Sequence, residues 1–342
     1  MNPTTNRSGT ARAALMLCLA LLLLLHPCGA HAQSCSATNP TVAFGNVDVV
    51  AGSQNYSASY TNATASNVVV TCSVGLLSLG SLKFSACVNI AGAGGTPRTM
   101  SSGANSLSYN LYTDAGHTTV WGATGTSPGP VVVNLAITSV LLGATASTTV
   151  PIYGELLSSQ NTAAIAGSYT GSPTATVSYN TSYALLGTPS DPTPCASGAS
   201  GNTSFALVAT ATVTNDCALT ATTINFGSSV GILSSDKTAT GTITATCTNT
   251  DNYSIALNRG TTSGATLADR QMAGSGSAVV HYQLYTDSGY STIWGDGTSG
   301  TSTQGGTGTG SSRAFAVYAK VPAQATPAPN TYSDTVTVTV SY

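Results

Sequence analysis

The chain has 342 residues and a formal net charge of −2, and only 6% of its residues are charged. Gly, Ser, Thr and Ala dominate and Glu155 is the single glutamate, so the chain lacks the residues that usually cover helix surfaces. The composition therefore favours an all-β protein. Because it has no basic patch, it also excludes a role in binding nucleic acid or anionic lipid.

The N-terminal region has the pattern of a secretory signal peptide. Arg7 and Arg12 precede an apolar run over 13–25, and the small-x-small sequence Ala-His-Ala follows at 30–32. The apolar run is shorter than a typical membrane span. We therefore predict a signal peptide over 1–32, a mature chain that begins at Gln33, and export from the cytoplasm.

A fourteen-residue motif occurs twice, as YNLYTDAGHTTVWG (109–122) and YQLYTDSGYSTIWG (282–295), with identical residues at nine positions. Each copy also ends in an alternating strand, YTGSPTATVSY (169–179) and YSDTVTVTVSY (332–342). A chain of this length commonly holds two domains. We predict two immunoglobulin-like β-sandwich domains, over 33–180 and 203–342, joined by a Pro-, Gly- and Ser-rich linker at 181–202.

The repeated motif contains residues that could be taken for functional ones. Asp114 and Asp287 lie in Thr-Asp-x-Gly sequences, where a carboxylate usually accepts hydrogen bonds from the backbone of its own turn. Trp121 and Trp294 follow these turns and fit core packing better than ligand binding. We therefore interpret the motif as part of the scaffold.

Six cysteines remain after the signal peptide, an even number that fits disulfide formation in an exported protein. The C-x-x-C spacing of many zinc sites does not occur, and we expect neither a metal nor a cofactor. Cysteines at equivalent positions of the two copies indicate two pairs, and elimination gives the third. The predicted disulfides are Cys35–Cys72, Cys217–Cys247 and Cys87–Cys195.

Three connections in the first copy are more apolar than their counterparts in the second. Loops normally lie on the surface, so apolar loops would form an exposed patch of the kind that marks an interaction site. The alternative is that these residues belong to extra strands and to the core. The candidate surface-binding residues are Leu76, Leu77 and Leu79, then Val140, Leu141 and Leu142, then Ala163, Ala164 and Ile165.

A further strand is predicted between the linker and the second copy. Its apolar residues alternate strictly with small or polar ones, and the first copy has no counterpart ahead of Cys35. The residues of this donor-like strand are Phe205, Leu207, Ala209, Ala211 and Val213.

Several of these sequences together resemble the spore coat protein U domain family. They are the Phe-Gly pairs at 44–45 and 226–227 after a cysteine, the repeated Y-x-L-Y-T-D-x-G-x-x-T-x-W-G, and the terminal YSDTVTVTVSY. The resemblance implies an incomplete immunoglobulin-like fold that a strand from a neighbouring subunit completes. The family includes subunits of archaic (Csu-type) chaperone–usher pili, and a two-domain exported member resembles their tip adhesin.

This resemblance implies a set of partners and a place in the cell. The partners would be a periplasmic pilus chaperone, an outer-membrane usher, the next pilin subunit as donor of a β-strand, and an abiotic or host surface. The protein would be exported through the periplasm to the pilus tip on the cell surface. There it would mediate attachment to surfaces and biofilm formation, as similar tip adhesins do through apolar loops.

The donor-like strand sharpens this expectation. We predict that residues 203–213 complete the first domain within the same chain. In the predicted mature chain only Gln33 and Ser34 precede Cys35, so we expect it to accept a neighbour's strand without giving one. In a head-to-tail polymer, such a subunit is a terminal one.

Three alternatives remain open at this stage. One is a structural spore-coat-like or fibre-body protein, which needs no apolar loops. Another is a glycan-binding adhesin, which would require a pocket of aromatic and polar residues. An enzyme is the least favoured, because His117 and His281 have no partners in the sequence that would form an acid–base or nucleophilic constellation.

Overall fold

A computed structural model describes residues 33–50, 67–75, 80–92, 96–139, 143–195, 198–227 and 231–342. The described residues contain 21 β-strands and no helix, and they form two β-sandwiches, each around its own hydrophobic core. The predicted all-β fold with two sandwich domains is confirmed. None of the described ranges contains a helix that could span a membrane, and the predicted signal peptide lies outside these ranges.

The first sandwich has thirteen strands in three sheets. The sheet orders are β1-β3-β8, β2-β13-β10-β5-β6-β9 and β12-β11-β4-β7. The strands are β1 (Gln33–Ala37), β2 (Thr41–Val47), β3 (Val68–Val74), β4 (Gly80–Ile90), β5 (Arg98–Ser102), β6 (Asn105–Tyr112), β7 (Val131–Ser139), β8 (Ala144–Val150), β9 (Tyr153–Leu156), β10 (Gly167–Gly171), β11 (Ala175–Ala184), β12 (Gly201–Phe205) and β13 (Val208–Val213).

The second sandwich has eight strands in two sheets, of orders β14-β15-β20-β18-β17 and β19-β16-β21. Its strands alternate buried and exposed residues, as expected when one sheet face packs against the core. The strands are β14 (Cys217–Ala221), β15 (Lys237–Cys247), β16 (Asn252–Leu257), β17 (Arg270–Ala273), β18 (Val279–Tyr285), β19 (Gln304–Thr307), β20 (Ser312–Val321) and β21 (Val338–Ser341).

The repeated motif links one sheet to another in each sandwich. Trp121 is fully buried and its indole N–H donates to the carbonyl of Val88, 2.8 Å away. Trp294 is equally buried and donates to the carbonyl of Ile255 at 3.0 Å. In the second sandwich the buried Arg270 guanidinium donates to the carbonyl of Trp294 at 2.8 Å. These residues are scaffold, as the sequence indicates.

The turn of the motif is closed by its aspartate in both copies. The Asp114 carboxylate accepts hydrogen bonds from the backbone N–H groups of Thr118 and Thr119, at 3.0 and 2.8 Å. Asp287 accepts from the N–H of Thr292 at 2.8 Å. These backbone bonds lower the pKa of both carboxyl groups. The aspartates therefore fix turn geometry.

The three disulfides join the pairs of cysteines that the sequence predicts. Cys35–Cys72 links facing residues of β1 and β3, and Cys217–Cys247 links facing residues of β14 and β15. Cys87–Cys195 ties strand β4 to the segment after β11. Each sandwich thus has its first strand fastened to its neighbour.

The first sandwich includes residues that follow its repeat unit in the chain. Strand β11 continues to Ala184 because it keeps its ladder with β4, and the first core includes residues up to Val213. Of the segment predicted as a linker, residues 181–184 lie in β11 and residues 201–202 lie in β12. The two cores are joined at 214–216.

Candidate functional site

Residues 201–213 contain β12 and β13 and run along the first sandwich. Phe205 of β12 faces Ala175 of β11, and four residues later Ala209 of β13 faces Gly171 of β10. The two antiparallel ladders therefore share a single register. On its other edge, β13 pairs in parallel with β2.

This strand supplies part of the hydrophobic core. All five apolar residues of the donor-like strand have relative exposures of 8% or less: Phe205, Leu207, Ala209, Ala211 and Val213. Burial of a large apolar side chain stabilises a fold by roughly 1.5–3 kcal/mol. The first sandwich thus depends on a strand that follows its own repeat unit in the sequence.

The second sandwich has an open groove where the first has β12 and β13. The groove has a volume of about 1070 Å³ and lies between the segment 221–227 and the segment 326–338. Its floor is apolar. Leu257, Val280 and Val317 belong to the second core, and Phe226, Met272 and Val336 are partly buried against that core.

Among the described residues, the segments 222–227 and 332–336 form no backbone hydrogen bond with each other. Ser333 exchanges both of its backbone hydrogen bonds with Ala273, on the side away from the groove. Because successive residues of a strand direct their N–H and C=O groups to opposite sides, those of Tyr332 and Asp334 are directed toward the groove. Residues 223–227, which correspond to residues 41–45 of β2, form no strand. A strand placed in the groove would find partners on two edges.

The chain's own 201–213 segment is already used in the first sandwich. It pairs there antiparallel to β10 and β11 and parallel to β2. The groove is therefore open to another polypeptide.

Asp334 is the one charged residue among the described residues that line the groove. Its carboxylate accepts hydrogen bonds from the Tyr282 hydroxyl at 2.7 Å and from the Thr261 N–H and hydroxyl at 2.8 and 3.0 Å. Burial, and then the bond to Asp334, raise the pKa of Tyr282 above its ordinary value. The equivalent residue of the first sandwich is Gly171.

Two of the predicted apolar loops connect strands at one end of the first sandwich. Residues 76–79 and 140–142, which hold Leu76, Leu77, Leu79, Val140, Leu141 and Leu142, lie outside the described residues. Their described flanks are neighbours, because Gly80 faces Ser139 across the β4–β7 ladder and Val74 faces Ala144 across the β3–β8 ladder. We call this end the distal end, since it is remote from Val213 and the second sandwich.

The third predicted loop lies at the opposite end. Ala164 is fully buried in the first core, and Ile165 packs partly against that core and forms a backbone bridge with Asn249 of the second sandwich. The Asn161 side chain donates to the carbonyl of Gly310 at 2.7 Å. Of the three candidates only Ala163 is exposed. The segment 163–165 therefore contacts the second sandwich and does not present an apolar tip beside the other two loops.

A different apolar segment, which is not among the candidates predicted from the sequence, lies at the distal end. Tyr183, Leu185 and Leu186 are 44%, 60% and 89% exposed, and they follow or end strand β11. The backbone of Ala184 faces Ser81, next to the first described residue after the 76–79 loop. The signal was a Leu-Leu pair at the edge of the predicted linker.

The described residues contain no group of three His, Cys, Asp or Glu side chains that could hold a metal ion. The two histidines of the predicted mature chain are far apart in the sequence and in different sandwiches. His281 pairs with Asp269 at 2.7 Å, and the His117 ring lies 5.0 Å from that of Tyr112.

Comparisons with known proteins agree with this architecture. The sequence profile of the Spore Coat Protein U domain matches residues 25–176 and 203–339. No curated protein matches the chain in sequence. A crystal structure of the CsuC–CsuE chaperone–tip adhesion subunit pre-assembly complex, from archaic chaperone–usher Csu pili of Acinetobacter baumannii, is similar in fold. The TM-score is 0.50 at 15% identity, over 90% of this chain and 100% of that one.

A second solved structure, described as a chaperone–tip adhesin complex of CFA/I fimbriae biogenesis, matches more weakly. Its TM-score is 0.26 at 8% identity, over 89% of this chain and 96% of that chain. A likeness of this size supports no conclusion about the chain.

Proposed function

The chain belongs to the spore coat protein U domain family, and on this premise we propose that it is the tip adhesin subunit of a chaperone–usher pilus. One observation carries the proposal. The first sandwich is completed by residues 201–213 of the same chain, whereas the second sandwich, built on the same repeat, has an open groove in that place.

The groove is the proposed attachment to the fibre. An inserted strand would pair with the edge at 332–336 and cover the apolar floor, as β12 and β13 do in the first sandwich. An uncovered apolar edge favours aggregation. A periplasmic chaperone would therefore occupy the groove first, and the donor strand of the next pilin would replace it after export through an outer-membrane usher.

The use of 201–213 supports the terminal position. A subunit within a head-to-tail polymer gives one strand and accepts another. Here the donor-like strand is buried in the first sandwich of its own chain, with Leu207 and Ala209 almost inaccessible. The second sandwich would join the fibre, and the first would be the outermost part of the pilus.

The distal end is the proposed surface-binding region. It combines the exposed Tyr183, Leu185 and Leu186 with the connections that hold the apolar residues of 76–79 and 140–142. Exposed apolar patches commonly mark interaction sites. We propose attachment of cells to abiotic or host surfaces through this end, and biofilm formation as its consequence. No catalytic role forms part of the proposal.

Adhesion of piliated cells to polystyrene tests the surface-binding part. We expect Leu185→Thr/Leu186→Thr to reduce the number of attached cells by at least about tenfold while the number of pili per cell stays unchanged. Val132→Thr is the matched control, because Val132 is also exposed but lies toward the other end of β7.

The control variant should adhere normally. Normal adhesion of the double variant would overturn the assignment of binding to the distal end. Equal losses in the control and the double variant would point to a general effect of surface hydrophobicity. Immunogold labelling across a surface layer, in place of fibre ends, would favour a structural coat protein.

A further inference from the structure

The groove contains an acidic side chain at a position where the first sandwich has none. Along the segment 332–336, Tyr332, Asp334 and Val336 are half-buried, and the residues between them are exposed. Asp334 therefore points to the same side as Tyr332 and Val336, and all three line the groove. Its carboxylate already receives hydrogen bonds from Tyr282 and Thr261.

The first sandwich shows which residue of an inserted strand would face Asp334. Gly171, the equivalent of Asp334, faces Ala209, and both are buried. The next inward pair is Tyr169 and Ala211, and Tyr169 corresponds to Tyr332. Side chains of facing residues lie on the same side of a sheet, with Cβ atoms about 4.5–5.5 Å apart. A donor residue in the place of Ala209 would thus stand beside the Asp334 carboxylate.

We propose that Asp334 is a specificity-determining residue of the groove, which admits a donor strand with a neutral or basic residue at the facing position and rejects an acidic one. This inference rests on the proposed function. Strand insertion removes water from around Asp334, and a second carboxylate there would meet it in a medium of low dielectric. The Asp334 oxygens already accept hydrogen bonds from Tyr282 and Thr261. A neutral donor-strand residue that faces Asp334 therefore does not leave this carboxylate without a partner.

Synthetic peptides with the sequence of residues 203–213 test the proposal. The parent peptide places alanine opposite Asp334, and derivatives carry Ala209→Asp or Ala209→Asn, which have similar size and differ in charge. A second pair, Ala211→Asp and Ala211→Asn, faces Tyr332 and measures the cost of burying a charge elsewhere in the groove. Binding to the full chain, refolded from denaturant, is measured by calorimetry.

For each pair, the dissociation constant of the Asp peptide is divided by that of the Asn peptide. We expect this ratio to be at least about tenfold larger for the pair at position 209 than for the pair at position 211. In the Asp334→Asn chain this excess should disappear, while the ratio at position 211 stays constant. If the Asp334→Asn chain does not bind the parent peptide, the Asp334→Gly chain provides the same comparison. Glycine is the residue that the first sandwich has at the equivalent position.

An equal ratio at the two positions, or an excess at position 209 that persists without the Asp334 carboxylate, would overturn the specificity role. Failure of the wild-type chain to bind any peptide would have a different meaning. It would contradict strand insertion into the groove and hence the proposed attachment to the fibre.

Discussion

The two sandwiches are nearly the same scaffold in two states, one filled and one open. Both have a buried tryptophan after an aspartate turn and a disulfide on their first strand. They differ where β13 lies: Tyr169 is fully buried beside it, whereas the equivalent Tyr332 is only half-buried. The comparison teaches that residues 201–213 complete the core and cover the open edges of the first sandwich. The order of the other strands does not depend on them, because the second sandwich has the same order without such a segment.

The largest expected effect comes from shortening one buried side chain in the segment 201–213. Leu207→Ala should lower the free energy of unfolding of the first sandwich by about 2–5 kcal/mol, because Leu207 is buried and leaves a cavity. Ile232→Ala, at an exposed residue beside the open groove, should change it by less than about 0.5 kcal/mol. Guanidinium unfolding of both variants measures the difference. If Ile232→Ala lowered the free energy of unfolding as much as Leu207→Ala, Ile232 would be a buried residue in solution, and the groove would be closed there.

The second effect concerns the disulfide that is unique to the filled sandwich. Replacing both Cys87 and Cys195 by alanine should destabilise the first sandwich by about 2–4 kcal/mol, since the bridge closes a long loop that leads into the inserted strand. Scanning calorimetry should show a lower melting temperature for one transition and no change for the other. A loss confined to the second sandwich would contradict the placement of Cys195 against strand β4 of the first.

Much of this comparison was accessible from the sequence. The repeat gave the two sandwiches, and strict alternation gave the inserted strand, because a strand buried on one face must alternate. Ala164 and Leu186 show where sequence reasoning fails. Both lie in apolar stretches outside regular strands, yet one is core and the other is 89% exposed. Local composition does not encode which end of a sandwich a loop reaches or what packs above it.

The groove itself illustrates the same limit. The family resemblance implies a missing strand, but the inward carboxylate of Asp334 depends on Tyr282 and Thr261, which are 52 and 73 residues away. The sequence shows Asp334 only as the polar residue of an alternating strand. The donor residue that would face Asp334 can be identified only from the pairing of Gly171 with Ala209 in the first sandwich.

A smaller effect is expected when the open sandwich is filled. A peptide with the sequence of residues 203–213, at 100 times its dissociation constant, should stabilise the second sandwich by about 2.7 kcal/mol through mass action. The first sandwich should not respond, because β13 already occupies the equivalent place. Calorimetry with and without peptide resolves the two transitions. A peptide that raised both melting temperatures equally would be binding outside the groove.

The smallest effect should be shared by both sandwiches, since it arises in the turn that they have in common. Backbone N–H groups lower the pKa of Asp114 and of Asp287 in the folded state. A carboxyl group with a lowered folded pKa contributes stability that is present above its unfolded pKa, near 3.9, and is lost as the pH falls through the folded value. Asp114→Asn and Asp287→Asn should therefore each weaken one sandwich at neutral pH and make its stability less sensitive to pH below about 4. Unfolding curves between pH 2 and pH 7 compare each variant with the wild type. If only one sandwich lost its acid dependence, the two turns would not be equivalent, and the difference between the sandwiches would extend beyond the inserted strand.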